Sequence, residues 1–254
     1  MTMRRLVLPS LALAAAFGAL SLAWTGARAQ GLVADLSDHF VAITAGFTGT
    51  DVLLFGALDE EGDVAVVVRG PEQDVVVRRK DRIAGVWANA DELTFEAVPT
   101  FYAIAANRPL DDLAPRPVLE RNQIGMRNIR FNAMEPDVTE VETARFIDAF
   151  IRIQKRQRLY SDDLGTVTFM TGRLFRSRLV FPSNVPVGVY TVQVFLIRDG
   201  EVLSAQTTPL NIDRTGIGAE IFLFAHRHAA AYGALAILSA LVAGWLAGQI
   251  FKRR

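Results

Sequence analysis

The chain has 254 residues, 51% of them hydrophobic, with three histidines, no cysteine, and 27 basic against 27 acidic side chains. The missing thiols exclude disulfide staples, thiolate catalysis, iron–sulfur ligation and covalent haem attachment. Arg4, Arg5 and Arg28 near the start and Lys252, Arg253 and Arg254 at the end carry +6, which leaves residues 30–251 at −6 and argues against nucleic acid as a partner.

Residues 1–29 read as a secretory signal peptide: Arg4 and Arg5 precede an apolar stretch, and Ala27-Arg28-Ala29 supplies the small residues a signal peptidase inspects. Cleavage there gives a mature N-terminus at Gln30; an uncleaved signal anchor is the alternative. Residues 30–113 read as a β-sandwich domain. The strand signals FVAITAGF, DVLLFGAL, DVAVVVRG, QDVVVRRK, AGVWAN, LTFEAV and TFYAIAAN follow one another between Gly, Pro, Asp and Asn. The unbroken runs VAVVV and VVV suggest strands covered on both faces.

Four prolines and mixed charges in 107–136 mark a connector, bounded as 114–136 between the domains, with one short element. A helix follows in 137–160, with a capping-box-like start at Asp137 and Glu140 and an apolar face of Val141, Ala144, Ile147 and Ile151. Lys155, Arg156 and Arg158 close it, where the helix dipole favours cations. Residues 137–213 as a whole form the helix plus a second β-rich unit. In it Tyr190, Val192, Val194 and Leu196 share a face, and Asp199-Gly200 is a two-residue hairpin signal. The expected class is therefore mainly β, with immunoglobulin-like sandwich units, an intervening helix and one C-terminal transmembrane helix.

After a juxtamembrane segment, 214–228, residues 229–251 contain no charge and would make about 34 Å of helix, enough for a hydrocarbon core of about 30 Å. The basic tail 252–254 then sets the orientation: C-terminus in the cytoplasm, domain on the far side. Ala236, Ala240, Gly244 and Gly248 recur every four residues and form a small-residue face with a Gly-x-x-x-Gly motif, suited to packing against another helix. The bilayer is thus the first partner, and a second copy or a permease helix the second.

The segments FTGTDVLLFGA, VVVRGPEQDVVVRRK, VPTFYAIAANRPL, PVGVYTVQVFLIRDG and AHRHAAAYGALAILSALVAGWLAG resemble an alphaproteobacterial transmembrane protein family over essentially the whole chain. The resemblance implies a bacterial inner-membrane protein with its body in the periplasm, and an accessory role beside a permease of the sulfite-exporter type. It supplies no catalytic residues.

No nucleophile elbow, His-Glu-x-x-His helix, Walker loop or dinucleotide fingerprint occurs, so no enzyme activity, cofactor or metal is expected. His39 stands alone, and His226 and His228 flank the span at headgroup level. Asp59 to Asp63, DEEGD, reads as a solvated hairpin tip and lacks the spacing of a calcium loop. Charge is segregated: residues 31–68 hold seven acids and no Lys or Arg, whereas 145–178 hold eight bases and three acids. Two readings stay open. Either these regions solvate and pair, or arginines form an oxyanion surface, from Arg69, Arg78, Arg79, Lys80 and Arg82 or from Arg152, Lys155, Arg156 and Arg158. The functional expectation is a non-enzymatic accessory module, with an anion-binding module serving a transporter as the alternative.

Overall fold

The computed structural model describes residues 31–83, 85–136, 138–161, 163–216, 221 and 224–251. The expected signal peptide, the cap residue Asp137 and the basic tail lie outside the described residues.

Among the described residues twelve strands carry the fold: β1 (Leu32–Leu36), β2 (Phe40–Ile43), β3 (Gly49–Leu58), β4 (Asp63–Arg69), β5 (Glu72–Ile83), β6 (Val86–Pro99), β7 (Tyr102–Ala106), β8 (Asn132–Ala133), β9 (Gly165–Thr171), β10 (Leu174–Pro182), β11 (Gly188–Arg198) and β12 (Glu201–Arg214). Nine of them form one sheet in the order β1-β3-β10-β9-β7-β4-β11-β12-β2, and β5-β6-β8 form another. Strands from the two ends of the chain pair directly, β3 with β10 and β4 with β11. The mainly β class holds. Val64 to Val68 on β4 are all buried, as a continuous apolar run between two paired neighbours requires.

The large sheet curls until its edge strand β1 reaches β12. There the Gln206 side-chain amide accepts from the Ala34 N–H at 2.8 Å and donates to the Ala34 carbonyl at 2.7 Å, doing for β1 what a neighbouring strand would do. Tyr190, Val192, Val194 and Leu196 are buried inside this curl. Asp199 and Gly200 make the expected two-residue turn with φ of 50° and 79°, the left-handed pair that such hairpins need.

Among the described residues, the bounded helices before the terminal one are α1 (Leu110–Leu113), α2 (Arg116–Arg121) and α3 (Glu140–Arg156), with a 3-10 turn at Met126–Asn128. The prolines of the connector start α1 and α2. α3 begins at Thr139, whose hydroxyl accepts from Glu142 N–H while the Glu142 carboxylate accepts from Thr139 N–H, a complete capping box two residues beyond the expected one. Its buried face keeps half of the expected one. Ile147 and Ile151 pack against the core, whereas Val141 is 63% exposed and Ala144 is exposed too; Phe146, Phe150 and Gln154 complete the packing, because the larger rings fill the space over the sheet.

An aromatic chain couples the layers. Phe95 at the base of the β5–β6 hairpin meets Phe131, which meets Phe150 of α3, then Tyr160, then Tyr102 of β7, with ring centroids 5.6 to 6.0 Å apart. Each such contact adds about 0.5–1.5 kcal/mol beyond area burial. Tyr160 donates to the Pro99 carbonyl at 2.6 Å, tying the end of α3 to the end of β6.

The last helix, α4 (Ala229–Phe251), has no acidic or basic residue in its first or last turn. Ala229–Gln249 within it is long and apolar enough to cross a membrane, and none of that window is buried.

Candidate functional site

The arginine cluster divides into three places. Arg78, Arg79 and Lys80 line a groove of about 560 Å³ between the β5–β6 hairpin and α3, whose floor includes Val77, Leu93 and Phe146. Cross-strand pairing sets Arg78 opposite Glu92 and Arg79 opposite Asp91. Arg78 Nε meets the Glu92 carboxylate at 2.9 Å, and Arg79 is paired with Asp91. Glu142 and Arg145 of α3 complete the rim. Cations and carboxylates therefore alternate around this groove, an arrangement with little excess positive field.

Arg69 lies elsewhere. Its guanidinium donates to Gln193 Oε1 at 2.9 Å and to the Asn122 carbonyl at 3.1 Å, while its buried Nε has no hydrogen-bond partner. Burial holds its pKa below the usual value. The Tyr102 hydroxyl beside it accepts from Gly125 N–H at 2.8 Å and donates to the Gln123 carbonyl at 3.0 Å. Burial pushes that phenol up to about 12. Together these bonds knit the 122–125 loop to β4 and β7, so Arg69 fastens a loop by hydrogen bonding to neutral groups. Arg82 sits at the hairpin tip, its Nε donating to the Gly85 carbonyl at 3.1 Å.

The second basic set is divided too. Lys155 and Arg158 stand over a cleft of about 820 Å³ together with Arg178, Asp51 and Asp163, while Arg152 and Arg156 are exposed on α3. The cleft exists because β10 pairs with β9 only from Leu174 to Ser177, and β9 meets β7 only at Ala105 and Ala106. Arg178 pairs with Asp51 at 3.3 Å, joining the basic segment to the acidic one. The DEEGD turn is held likewise: Arg198 binds the Glu60 carboxylate and the Glu61 carbonyl, and Arg108 meets Asp63 at 3.0 Å. His39 Nε2 lies 2.9 Å from the Asp35 carboxylate. Among the described residues no cluster of three or more His, Asp or Glu could hold a metal.

On α4, Ala236, Ala240, Gly244 and Gly248 are solvent-exposed, and nothing lies within 4 Å of where a Cβ would stand on either glycine. The one hydroxyl-bearing aliphatic side chain, Ser239, donates back to the Leu235 and Ala236 carbonyls at 2.7 and 3.0 Å, so it brings no unsatisfied donor into an apolar medium. The sequence reading did not single out the bare tip of the β5–β6 hairpin, where Val86 and Trp87 are each 69% exposed. Its signal was a Val-Trp pair in a segment rich in Arg and Lys.

Residues 31–253 match the family described as "Putative transmembrane protein". No curated protein matches the chain. Among solved structures, the crystal structure of BslA, a bacterial hydrophobin, is similar at 10% identity over 74% of this chain and 96% of that one, with a TM-score of 0.23. A likeness of that size bears on neither fold nor function.

Proposed function

The chain belongs to this alphaproteobacterial transmembrane family, and from that premise we propose that it is a single-span inner-membrane protein whose β-rich domain stands in the periplasm and works by binding, as an accessory to a permease or to its own copy. The observation that carries the reading is α4. It is 23 residues without Asp, Glu, Lys, Arg or His, about 34 Å long against a core of about 30 Å, and it follows, after residues 215–228, on a β domain with its own core. The orientation rests on Lys252, Arg253 and Arg254 after the span, and on the signal-like residues 1–29 before the domain.

Oxyanion capture is the weaker reading, because Arg78 and Arg79 already face Glu92 and Asp91. The small-residue face of α4 suits close helix contact in lipid. A reporter that is active only in the periplasm, fused after Arg254, stays silent on this reading, and one that is active in the cytoplasm gives signal. The reverse pattern would contradict it.

A further inference from the structure

Both β4 and β12 run antiparallel to β11, so they run parallel to each other and finish at the same end of the sheet. β12 ends at Arg214, from which residues 215–228 lead to Ala229 and the span. β4 ends at Arg69, and Gly70 and Pro71 turn at once into the β5–β6 hairpin. The two exits adjoin. Gly188, which pairs with Ile212 of β12, has Pro71 so close that an added Cβ would stand 2.8 Å from its ring. The hairpin therefore springs from the same end of the sheet at which the chain leaves for the span.

Residues 215–228 reach at most about 50 Å, and their last turn is helical, so the bilayer lies within that distance of this end of the sheet. The hairpin is long enough to matter, with strands of 12 and 14 residues, about 40 Å from base to tip. Its base is core: Val77, Leu93, Phe95 and Val98 are buried. Its distal half is not. Beyond the Arg78–Glu92 and Arg79–Asp91 pairs, the cross-strand register sets Trp87 opposite Arg82 and Asn89 opposite Lys80. Strand alternation then gathers Trp87, Arg82 and Lys80 on one face of the ribbon, while Asp81 falls on the other with Val86, which stands at the very end of the hairpin so that an end-on approach brings both Val86 and Trp87 to the bilayer.

We propose that this tip is a second membrane contact, in which Trp87 and Val86 enter the headgroup region of the bilayer and Lys80 and Arg82 lie against anionic lipid headgroups. An indole suits that boundary, having an apolar body and a polar N–H, and Lys and Arg are drawn to anionic headgroups. The span supplies the proximity, which converts a weak surface contact into an intramolecular one. With two attachments the domain is held in a fixed attitude over the membrane instead of swinging on its linker. The proposal rests on the reading of α4 as a membrane span.

The full chain has no cysteine, so Val86→Cys gives a unique labelling position at the tip, and Glu201→Cys, exposed at the opposite end of the sheet, gives the control. Each variant is reconstituted in phosphatidylcholine–phosphatidylglycerol vesicles containing headgroup-spin-labelled lipid, and the fluorophore's quenching is read. Retention of the chain in the vesicles after an alkaline wash reports on α4 separately, before any quenching is measured. The expected result is quenching several-fold stronger at position 86 than at 201, reduced by Trp87→Ala in the same labelled chain. Equal, weak quenching at both positions would overturn the proposal. So would a tip label that lipid does not quench and that is shielded only at high protein density, which would assign the tip to a second copy.

Discussion

Gln206→Ala removes a side chain that bridges β12 to the edge strand β1 in the curled sheet. Its amide satisfies both the N–H and the carbonyl of Ala34, at 2.8 and 2.7 Å and across 172 residues of sequence. Ala34 is 2% exposed, so truncation leaves a donor and an acceptor without partners in a nearly closed space. An orphaned buried backbone group costs about 1–3 kcal/mol, and two set a ceiling of about 6 kcal/mol. Gln206 itself is only half-buried, so water follows the lost side chain and the expected cost falls to about 2–3 kcal/mol. In a domain of this size that lowers Tm by roughly 5–10 °C. Gln206→Glu keeps the acceptor for Ala34 N–H but turns a carboxylate oxygen toward the Ala34 carbonyl, so it does not restore stability. The assay is thermal unfolding of the full chain in detergent micelles, followed by circular dichroism, with hydrogen exchange read at the Ala34 amide. A wild-type Tm with unchanged protection of that amide would refute the reasoning and leave β1 held by the burial of Leu32, Ala34 and Leu36 alone.

Thr139→Ala removes the cap of α3 and is expected to cost about 1 kcal/mol in the same unfolding assay, while Thr139→Ser retains most of it. Stability falls as pH rises above about 10. Burial pushes Tyr102 up to about 12 and raises Tyr160 and Tyr190 by the same cause, whereas phenols in the unfolded chain ionise near 10, so unfolding releases protons in that window. Tm measured against pH, with tyrosinate absorbance recorded alongside, checks this; a flat profile through that window would contradict it. Replacing both Gly244 and Gly248 with Leu leaves membrane retention intact, since the segment becomes more apolar, and lowers the yield of helix-to-helix crosslinks in intact cells.

Local features of the fold were legible because they are local. Val64–Val68 announces a strand covered on both sides, Asp199-Gly200 announces its turn, and residues 229–251 announce an apolar helix. Pairing across the chain leaves no such mark. Nothing near Gln206 points to Ala34, because the partner is a backbone group and carries no sequence signature. AGVWAN and LTFEAV read as two strands around Asp91-Glu92, a pair that looks like a turn; in the structure they are one strand, since those acids meet Arg79 and Arg78 across the ribbon. The same pairing explains why the arginine cluster was visible as composition while its neutralisation was not. On α3, the apolar spacing of Val141 and Ala144 fits helical periodicity as well as that of Phe146 and Phe150, and only the space above the sheet chooses the rings.

Trypsin digestion of intact spheroplasts tests most directly whether the β domain stands outside the cytoplasm on a single C-terminal span. The domain is rich in Arg, so protease added from outside is expected to clear residues 31–214 and leave a membrane-retained fragment containing α4. A full-length chain that survives until the membrane is permeabilised would contradict it.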